Sequence, residues 1–494
     1  MLTTLLIALP LAAALLVWLL PLSTESTAGL AVLAVLAEVG LWAGSVVPLN
    51  IVTFGLVDTG SRFDFGASVP QFSQERVWFE EFDIAYSVGL YGFQLWLVGL
   101  TAVIGACAIG YGAWAGRERP RAYFGLMLFL VGSLVGVFAS QDLVLFYVFF
   151  EAMLIPLYVL VGVWGGERRV RATVTFVIYT MAGSLLMLAA IVAFGVEQGT
   201  FSLAEAGTSD STWIFLGFLV AFCVKAPLLP FHGWLRLAYT EAPPEVGALL
   251  SGVVSKAAVF GLIWIVLPHF PGPVADWRQV VLALAAATLV YGSLLAFRQP
   301  DARSVIAYSS MGQMGLIVLG VFAANDLGLD GAILHSVSHG LVSAALFLLA
   351  ATIETRTGSG AFDRLGGMAR GHPVLATLVL ATGVCALAVP GSANFAGEFA
   401  ILAGVLEHGW GWAAVGAGAI VLAALYALRF ISAILHETRG VAVPTERKDL
   451  DANELWLIVP LVAALAALSL WPAAVSERSF PTDGIAAITG EETE

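Results

Sequence analysis

A few ionisable residues stand inside long apolar stretches of the chain, where a charge at the bilayer centre costs about 2.5–3.5 kcal/mol on insertion scales. Two of the three lysines, Lys225 and Lys256, lie in such stretches, as do Glu151 and Glu398. Ionisable groups inside a membrane are the usual material of proton relays. Lysine suits this chemistry, because burial disfavours its charged form and a nearby carboxylate favours it again. These four residues therefore predict a path for protons.

Two histidines extend this set. His335 and His339 are four residues apart in HSVSH, which places both on one face of a helix. Histidine has an unperturbed pKa of about 6.5, so it can pass a proton in either direction near neutral pH. A metal site is a poorer interpretation, because no acidic residue stands between the histidines and no third ligand is evident. We expect no metal here, and proton transfer or a packed polar pair instead.

Structural roles compete with the relay. A buried charge can form an ion pair that fixes helix packing, and one near the end of a span can extend to the interface. We favour this interpretation for Glu38, which is alone in its apolar run. For the two lysines and the other two glutamates we favour proton transfer, because four ionisable groups on four helices exceed what packing requires.

Helix breakers stand beside two of these residues. Lys225 lies in VKAPLLPFHGW, whose two prolines remove backbone donors, and Glu398 follows the pair Pro390 and Gly391. Broken helices in corresponding halves of a chain point to inverted-repeat transporters with an ion site at the midplane. A simple proline kink is common in membrane helices, but each break here accompanies a charge, so we favour broken helices.

The composition places these residues in a membrane. Of 494 residues, 59% are apolar and 12% are charged, against about 25% charged residues in a soluble domain, and the mean hydropathy is +0.91. A soluble globular protein is excluded, and a net charge of −13 provides no basic patch for nucleic acid. A span needs roughly 20 apolar residues. Fourteen runs fit, near 5–20, 29–47, 88–113, 123–139, 143–164, 174–194, 213–226, 246–267, 280–297, 305–322, 333–351, 375–405, 412–434 and 455–470.

Other motifs predict no cofactor in this chain. Cys107, Cys223 and Cys385 lie far apart, so they predict neither a disulfide nor an iron–sulfur site, and we interpret them as small core residues. A G-x-G-x-x-A match at Gly110 ends a membrane helix and follows no strand, so dinucleotide binding is rejected.

Arginine and lysine predict the orientation, since they accumulate in cytoplasmic loops. With the N-terminus outside, sixteen of the 22 fall in inner loops, among them Arg447 and Lys448, and four in outer ones, among them Arg62. Both termini are therefore predicted on the outer side.

The first run lacks a preceding basic stretch and a small-residue cleavage site, so we expect an uncleaved helix. The longest outer segment, 48–87, is predicted to be an ordered loop.

Five stretches resemble the antiporter-like membrane subunits of proton-pumping NADH:quinone oxidoreductase, respiratory complex I, within the complex I/cation-proton antiporter superfamily. They read FYVFFEAMLIPLYVLVGVWG, AFCVKAPLLPFHGWLRLAYTEAP, IAYSSMGQMG, SHGLVSAALFLLA and NFAGEFAIL. The similarity covers nearly the whole chain. Subunit M is the most similar subunit type, because HGLVSAALFLL and the glutamate of FAGEF resemble its versions, whereas subunits L and N usually carry lysine at that last position.

The resemblance implies an all-α polytopic fold of about 14 helices, with helices 4–8 and 9–13 as two inverted five-helix repeats and helices 7 and 12 broken. The corresponding divisions are 1–121 with outer loop 48–87, the first repeat in 122–270, the second repeat in 271–436, and helix 14 with an outer tail in 437–494. The Ala-, Gly- and Leu-rich composition looks prokaryotic. We therefore expect a multi-pass protein of the cell inner or plasma membrane.

The resemblance also implies a role for each buried group. Glu151 matches the helix-5 glutamate that partners the helix-7 lysine, here Lys225. Lys256 matches the central lysine of helix 8, His339 the histidine of helix 11, and Glu398 the terminal glutamate of helix 12. We expect electron transfer elsewhere to weaken the first pair, after which a proton moves through the central lysine towards the histidine and the terminal glutamate.

Some positions depart from the family pattern. Gln313 stands where subunit M usually has a histidine, Ser304 stands where a Lys-Arg pair is typical, and Tyr91 occupies a usual aspartate site. His335 is additional for subunit M and is similar to subunit L. Because Gln313 cannot itself take up and release a proton, we expect water or His335 to complete that step.

The resemblance implies a proton-translocating subunit of an enzyme whose NADH oxidation and quinone reduction occur in other subunits. FMN and iron–sulfur clusters are then expected in those partners, and L-like and N-like subunits as neighbours in the bilayer. One alternative is a subunit of a multi-subunit sodium/proton antiporter. A second is a membrane-bound hydrogenase-like complex, or one linked to ferredoxin or F420. A purely structural scaffold is the least favoured, because it leaves the charged axis without a purpose.

Overall fold

A computed structural model describes residues 1–46, 63–444 and 449–481 of the chain. Twelve helices in these ranges are long and apolar enough to cross a membrane. A lipid core offers no water to bare backbone groups, so each peptide must pair inside its own helix. The chain is therefore a mostly helical, multi-pass membrane protein.

The N-terminal part combines three helices with a β-hairpin. Its elements are α1 (Leu2–Leu19), α2 (Thr24–Val46), β1 (Gln71–Phe79), β2 (Ile84–Leu90) and α3 (Gly92–Ala115). The strands pair antiparallel, with Arg76 opposite Tyr86. The all-α prediction missed this hairpin, whose strands are rich in β-branched and aromatic residues. The predicted outer loop 48–87 is thus partly a hairpin, while 47–62, with Arg62, lies outside the described residues.

The next part contains the first helix interruption. Lys225 ends one helix, and helical turns resume only at Phe231, so the break predicted at the two prolines is observed. The helices are α4 (Pro120–Ala139), α5 (Leu143–Ala152), α6 (Leu154–Trp164), α7 (Arg169–Gln198), α8 (Thr212–Lys225), α9 (Leu235–Glu241), α10 (Pro244–Leu249), α11 (Lys256–Gly261) and α12 (Leu267–His269). Two π-helical segments, Leu250–Val254 and Leu262–Val266, join the last three helices into one continuous rod.

The last part contains the second interruption. Its helices are α13 (Pro271–Arg298), α14 (Ala302–Ala323), α15 (Asp326–Thr357), α16 (Pro373–Ala386), α17 (Ala393–Leu406), α18 (Trp410–Leu435), α19 (Ala452–Leu470) and α20 (Ala473–Ser476). The predicted run 375–405 is two helices, because Pro390 cannot donate and Gly391 adopts a φ of +97°. Arg447, Lys448 and most of the predicted tail after 481 lie outside the described ranges.

Polar side chains begin several of these helices by accepting backbone hydrogen bonds that the first turn leaves free. Asp142 does so for α5, and Asp301, Asn325 and Ser392 do so for α14, α15 and α17. Asp142 also accepts from the Ala85 backbone N–H of β2. Burial raises the pKa of Asp142 to about 6, although these hydrogen bonds act in the opposite direction. One carboxyl thus joins the hairpin to a membrane helix.

Four ion pairs tie helix ends together at one end of the bundle. They are Arg117–Glu245 at 2.7 Å, Arg168–Glu241 at 3.0 Å, Arg356–Glu454 at 2.6 Å, and Arg303–Glu354. We call this end the arginine face. Burial by itself lowers the pKa of Arg117, but the Glu245 carboxylate, with Tyr123 and Tyr111, raises it overall. Charge-assisted contacts of this kind join elements that lie far apart in sequence.

Glu38 has neither structural role that the sequence favoured. The residue is fully buried in α2, and within the described part of the chain neither carboxyl oxygen has a hydrogen-bond partner or an ion pair. Position 38 is eight residues from the end of α2 at Val46. At about 1.5 Å per residue that distance exceeds the reach of a glutamate side chain. The interpretation as an ion pair or an interfacial residue was therefore wrong.

Candidate functional site

Lys225 occupies an apolar chamber at the break after α8. It is 2% exposed, and its Nζ makes no hydrogen bond to any described residue. The ammonium instead lies over two aromatic rings, 5.0 Å from the centroid of Phe150 and 5.9 Å from that of Phe176. Cation–π attraction and the C-terminal end of the helix both favour a positive charge here. Lys225 is therefore held without a partner that would fix its proton.

Glu151 lies next to Phe150 on α5, and its Oε1 is buried without a hydrogen-bond partner in the described structure. The four ion pairs found in these ranges do not include Glu151 with Lys225. The carboxylate is still near enough to act electrostatically on the lysine. The expected partners thus interact electrostatically without a direct ion pair, and a change in their separation would change the strength of that interaction.

Lys256 lies fully buried directly after the first π-helical segment. Its Nζ donates to the Ser251 carbonyl oxygen at 2.8 Å and lies 3.4 Å from the Ser255 hydroxyl. A π-helical turn displaces backbone carbonyls from their usual partners, and such turns occur often at functional sites. The segment therefore provides the backbone oxygen that solvates a buried ammonium.

A chain of serine hydroxyls leads from this lysine towards the histidines. The Ser251 hydroxyl donates to Ser310 Oγ at 2.9 Å and lies 2.5 Å from Ser343 Oγ. His339 Nε2 lies 3.3 Å from the same Ser310 hydroxyl. A hydroxyl can donate and accept at once. Lys256 contacts this chain through the backbone oxygen of Ser251, and the hydroxyl chain itself runs from Ser251 to His339 across three helical segments.

His335 joins the second part of the site through Gln313. Its Nε2 donates to the Gln313 amide oxygen at 2.8 Å, and its Nδ1 makes no hydrogen bond of normal geometry to a described residue, although the Asn394 backbone lies close to the ring. The rings of His335 and His339 stack with centroids 5.9 Å apart. Gln313 also lies beside the Glu398 carboxyl and the Tyr426 hydroxyl. The amide therefore connects the histidine pair to the terminal glutamate.

A small cavity, mostly apolar in its lining but with several polar groups, adjoins this junction. Its volume is about 30 Å³, and its polar lining includes Ser309, Gln313, His339, Asn394 and Tyr426. A space of about 10–15 Å³ is enough for one water when polar partners are present. The cavity can therefore hold ordered water next to both His339 and Gln313. Asn394 Oδ1, which accepts from no described donor, is one group that such water would satisfy.

Aromatic rings separate the two lysines. Phe222 lies one turn before Lys225, and Phe260 one turn after Lys256. Phe146 bridges them, with its ring centroid 6.2 Å from that of Phe222 and 5.8 Å from that of Phe260. Among the described residues, no side-chain hydrogen bond crosses this cluster. The polar axis therefore has two parts, one around Lys225 and one that runs from Lys256 to Glu398.

The sequence identified the ionisable groups, and the structure brings Lys256, His335, His339 and Glu398 into one connected region. It keeps Glu151 and Lys225 at a separate position. Sequence reasoning missed the neutral connectors, which are Ser251, Ser310, Ser343, Asn394 and Tyr426. A polar residue every few positions in IAYSSMGQMG was the one available signal for Ser310. Tyr426 stands alone in an apolar run and gave none.

Comparison with known proteins gives a consistent result. Residues 140–423, more than half of the chain, match the family described as NADH:quinone oxidoreductase/Mrp antiporter, TM. NADH-quinone oxidoreductase subunit M of Mycobacterium tuberculosis strain H37Rv is 33% identical, and the match covers 94% of this chain and 92% of that protein. Subunit M of Rhodobacter capsulatus is also 33% identical, with coverages of 92% and 93%.

Solved structures agree in fold. A chain of respiratory complex I from Thermus thermophilus with bound NADH superposes with a TM-score of 0.87 and 28% identity, covering 99% of this chain and 98% of that chain. A chain of the Mrp complex from Dietzia sp. DQ12-45-1b shares the fold at a TM-score of 0.80 and 20% identity, covering 98% of this chain and 52% of that chain. The chain therefore belongs to the antiporter-like membrane family of NADH:quinone oxidoreductase and Mrp antiporters, and it is similar to subunit M over most of its length.

Proposed function

We infer that this chain is a proton-translocating subunit of the membrane arm of NADH:quinone oxidoreductase, of the subunit M type. The observation that carries the inference is the buried polar network between Lys256 and Glu398, set in helices that are otherwise apolar. A scaffold gains nothing from such a network, because each buried polar group costs free energy unless it is satisfied. Subunit M relatives at 33% identity support the same function.

The proposed route begins at Glu151 and Lys225. A change in the charge near Glu151 alters the free energy of the proton on Lys225, because the two groups interact electrostatically in the buried interior and no hydrogen bond from a described residue fixes the lysine Nζ. The proton, or the field of its charge, must then pass the Phe146 cluster to reach Lys256. We propose that water enters this aromatic cluster only transiently. This would prevent protons from leaking back between pumping cycles.

Beyond Lys256 the proposed route follows the serine hydroxyls to His339 and continues through His335 and Gln313 to Glu398. Gln313 does not titrate. Its amide would instead hold the His335 ring and orient water in the adjoining cavity, so that the proton moves between histidine and glutamate. This assignment explains how the chain works with glutamine where subunit M usually has histidine.

The proposed architecture has fourteen spans. The interrupted pairs α8 with α9 and α16 with α17 each supply one span in addition to the twelve long helices. We propose inverted repeats in 122–270 and 271–436, flanked by 1–121 and 437–494. The arginine face is then cytoplasmic and both termini lie outside, because arginines accumulate in cytoplasmic loops.

Partners follow from this proposal. L-like and N-like antiporter subunits would lie beside the chain in the bilayer, and FMN and iron–sulfur clusters would reside in subunits outside it. The chain itself would supply the proton path and no redox site.

The test is to extract native membranes in mild detergent, isolate the assembly that holds this chain, and assay it for flavin, iron–sulfur signals and NADH:quinone activity. We expect all three to co-purify with the chain. Co-purification with other hydrophobic subunits but no redox centre, together with sodium-dependent proton exchange, would contradict the proposal and favour an antiporter.

A further inference from the structure

A second cavity, which shares no lining residue with the one on the proton path, opens beside the arginine face. Its volume is about 540 Å³, and it lies where α1 ends and where α2 and α4 begin. Arg119 and Arg121 line one side, Thr24 lies at the start of α2, and Trp18, Leu22 and Leu126 form an apolar wall. Ligand pockets commonly measure about 300–1,000 Å³, so this cavity has room for a substantial molecule.

The polar side of the cavity is strongly positive. Both Arg119 and Arg121 are exposed, and neither guanidinium group makes a hydrogen bond or an ion pair with any described residue. The cavity lining contains no carboxylate. In addition, α4 begins between the two arginines, so its first free N–H groups and the positive end of its dipole lie at the same place. The site therefore offers several donors to one anionic group.

The apolar wall of the cavity is closely packed. Trp18 packs directly on Gly125, where an added Cβ would lie only 1.9 Å from the indole Nε1. Glycine at this position thus lets the indole approach α4 closely, with its ring centroid 6.1 Å from that of Phe129. Tryptophan is typical of the membrane–water interface, where one end of its ring is wet. Beyond the cavity α1 exposes Leu15, Leu16 and Leu19, which extends the apolar surface into the bilayer.

We propose that this cavity binds an anionic phospholipid, with its phosphate between Arg119 and Arg121 and its acyl chains along Trp18 and Leu126. Basic pockets between membrane helices are suited to anionic headgroups. A free phosphate would use the arginines alone and leave the apolar wall exposed. A diacyl lipid uses both sides, and its chains continue along the leucines of α1.

The test measures lipid binding to the full-length chain in its assembled complex, with phosphatidylglycerol and phosphatidylcholine as probes and native mass spectrometry as the readout. We expect phosphatidylglycerol to be retained preferentially. Each arginine contributes about 5-fold in affinity near a surface, so the double variant R119Q/R121Q is expected to lose about 25-fold. The matched control R169Q/R171Q changes two arginines at the start of α7 that do not line the cavity, and it is expected to bind like the wild type.

Several outcomes would overturn the proposal. Equal retention of both lipids would do so, as would unchanged binding in R119Q/R121Q. Glycerol phosphate that binds as tightly as phosphatidylglycerol would show a free-anion site instead. If the double variant fails to assemble, a salt titration of the wild type decides, because screening weakens binding through exposed arginines. Salt-independent binding would then contradict the proposal.

Discussion

Gln313 lies where the histidines, the terminal glutamate and the small cavity meet. Its amide oxygen accepts from His335 Nε2 at 2.8 Å. No other described side chain accepts a hydrogen bond from this nitrogen. Replacing it with leucine keeps the size but removes the acceptor. A hydrogen bond of this kind contributes about 0.5–1.5 kcal/mol, so we expect Q313L to slow proton pumping by about 2- to 10-fold.

The control for this variant is Q299L, since the Gln299 side chain only donates to the Leu295 carbonyl oxygen of its own helix. NADH-driven acidification in proteoliposomes measures both. Q313H, which restores the residue usual in subunit M, is expected to pump. A Q313L enzyme that pumps like the wild type would show that the amide has no part in the route.

The ionisable residues were predictable one by one, because a charge in an apolar run is visible without a structure. Glu151, Lys225 and Lys256 were identified in this way. Their partners were not, since a serine or tyrosine among apolar residues costs too little to stand out. For Glu38 the sequence predicted burial, because the residue lies in an apolar run. It could not show that the carboxylate makes no ion pair with a described residue.

At the scale of elements, Ser310 joins three helical segments, because its hydroxyl on α14 touches both Ser251 and His339. S310A removes one link of this hydroxyl chain. We expect a decrease of about 2- to 10-fold in the pumping rate, from the free energy of one hydrogen bond. S336A is the matched control, since the buried Ser336 hydroxyl only donates to Ala332 within α15. Equal rates for the two variants would contradict a relay through Ser310.

The junction between the hairpin and α5 gives a prediction for pH. The pKa of Asp142 in the folded protein is about 6, above the value of about 3.9 expected when unfolded. The folded state therefore binds the proton more tightly. This contribution to stability is complete below about pH 4 and is lost as the pH rises through 6, by about 3 kcal/mol.

D142N retains a capping side chain but cannot ionise. We expect the thermal midpoint of the wild type to fall relative to that of D142N between pH 4 and pH 7. A constant difference between the two midpoints over this range would mean that Asp142 does not titrate there.

The elements themselves were largely predictable. The apolar runs coincide with helices, and both interruptions fall at the prolines and glycine that predicted them. The hairpin and the π-helical segments were not predicted. A π-helical turn leaves no mark on the hydrophobic periodicity of the sequence. Their positions depend on contacts such as that of Lys256 Nζ with the Ser251 carbonyl oxygen.

At the scale of the whole molecule, the proposed orientation puts the arginine face and the hairpin on opposite sides of the membrane. Single cysteines at Arg119 and at Glu81, in a variant without the three native cysteines, test this with a membrane-impermeant maleimide. Both side chains are exposed. We expect E81C to be labelled on intact spheroplasts and R119C only after permeabilisation. The reverse pattern would invert the orientation.

The most direct measurement of the central claim is the number of protons translocated per NADH oxidised by the assembled enzyme in proteoliposomes. Lys256 begins the connected network, so we expect K256A to abolish or strongly reduce this ratio. K448A replaces the third lysine, which lies outside the described residues and within a predicted loop, and we expect it to leave the ratio unchanged. An undiminished ratio in K256A would contradict a proton path through this chain's buried axis.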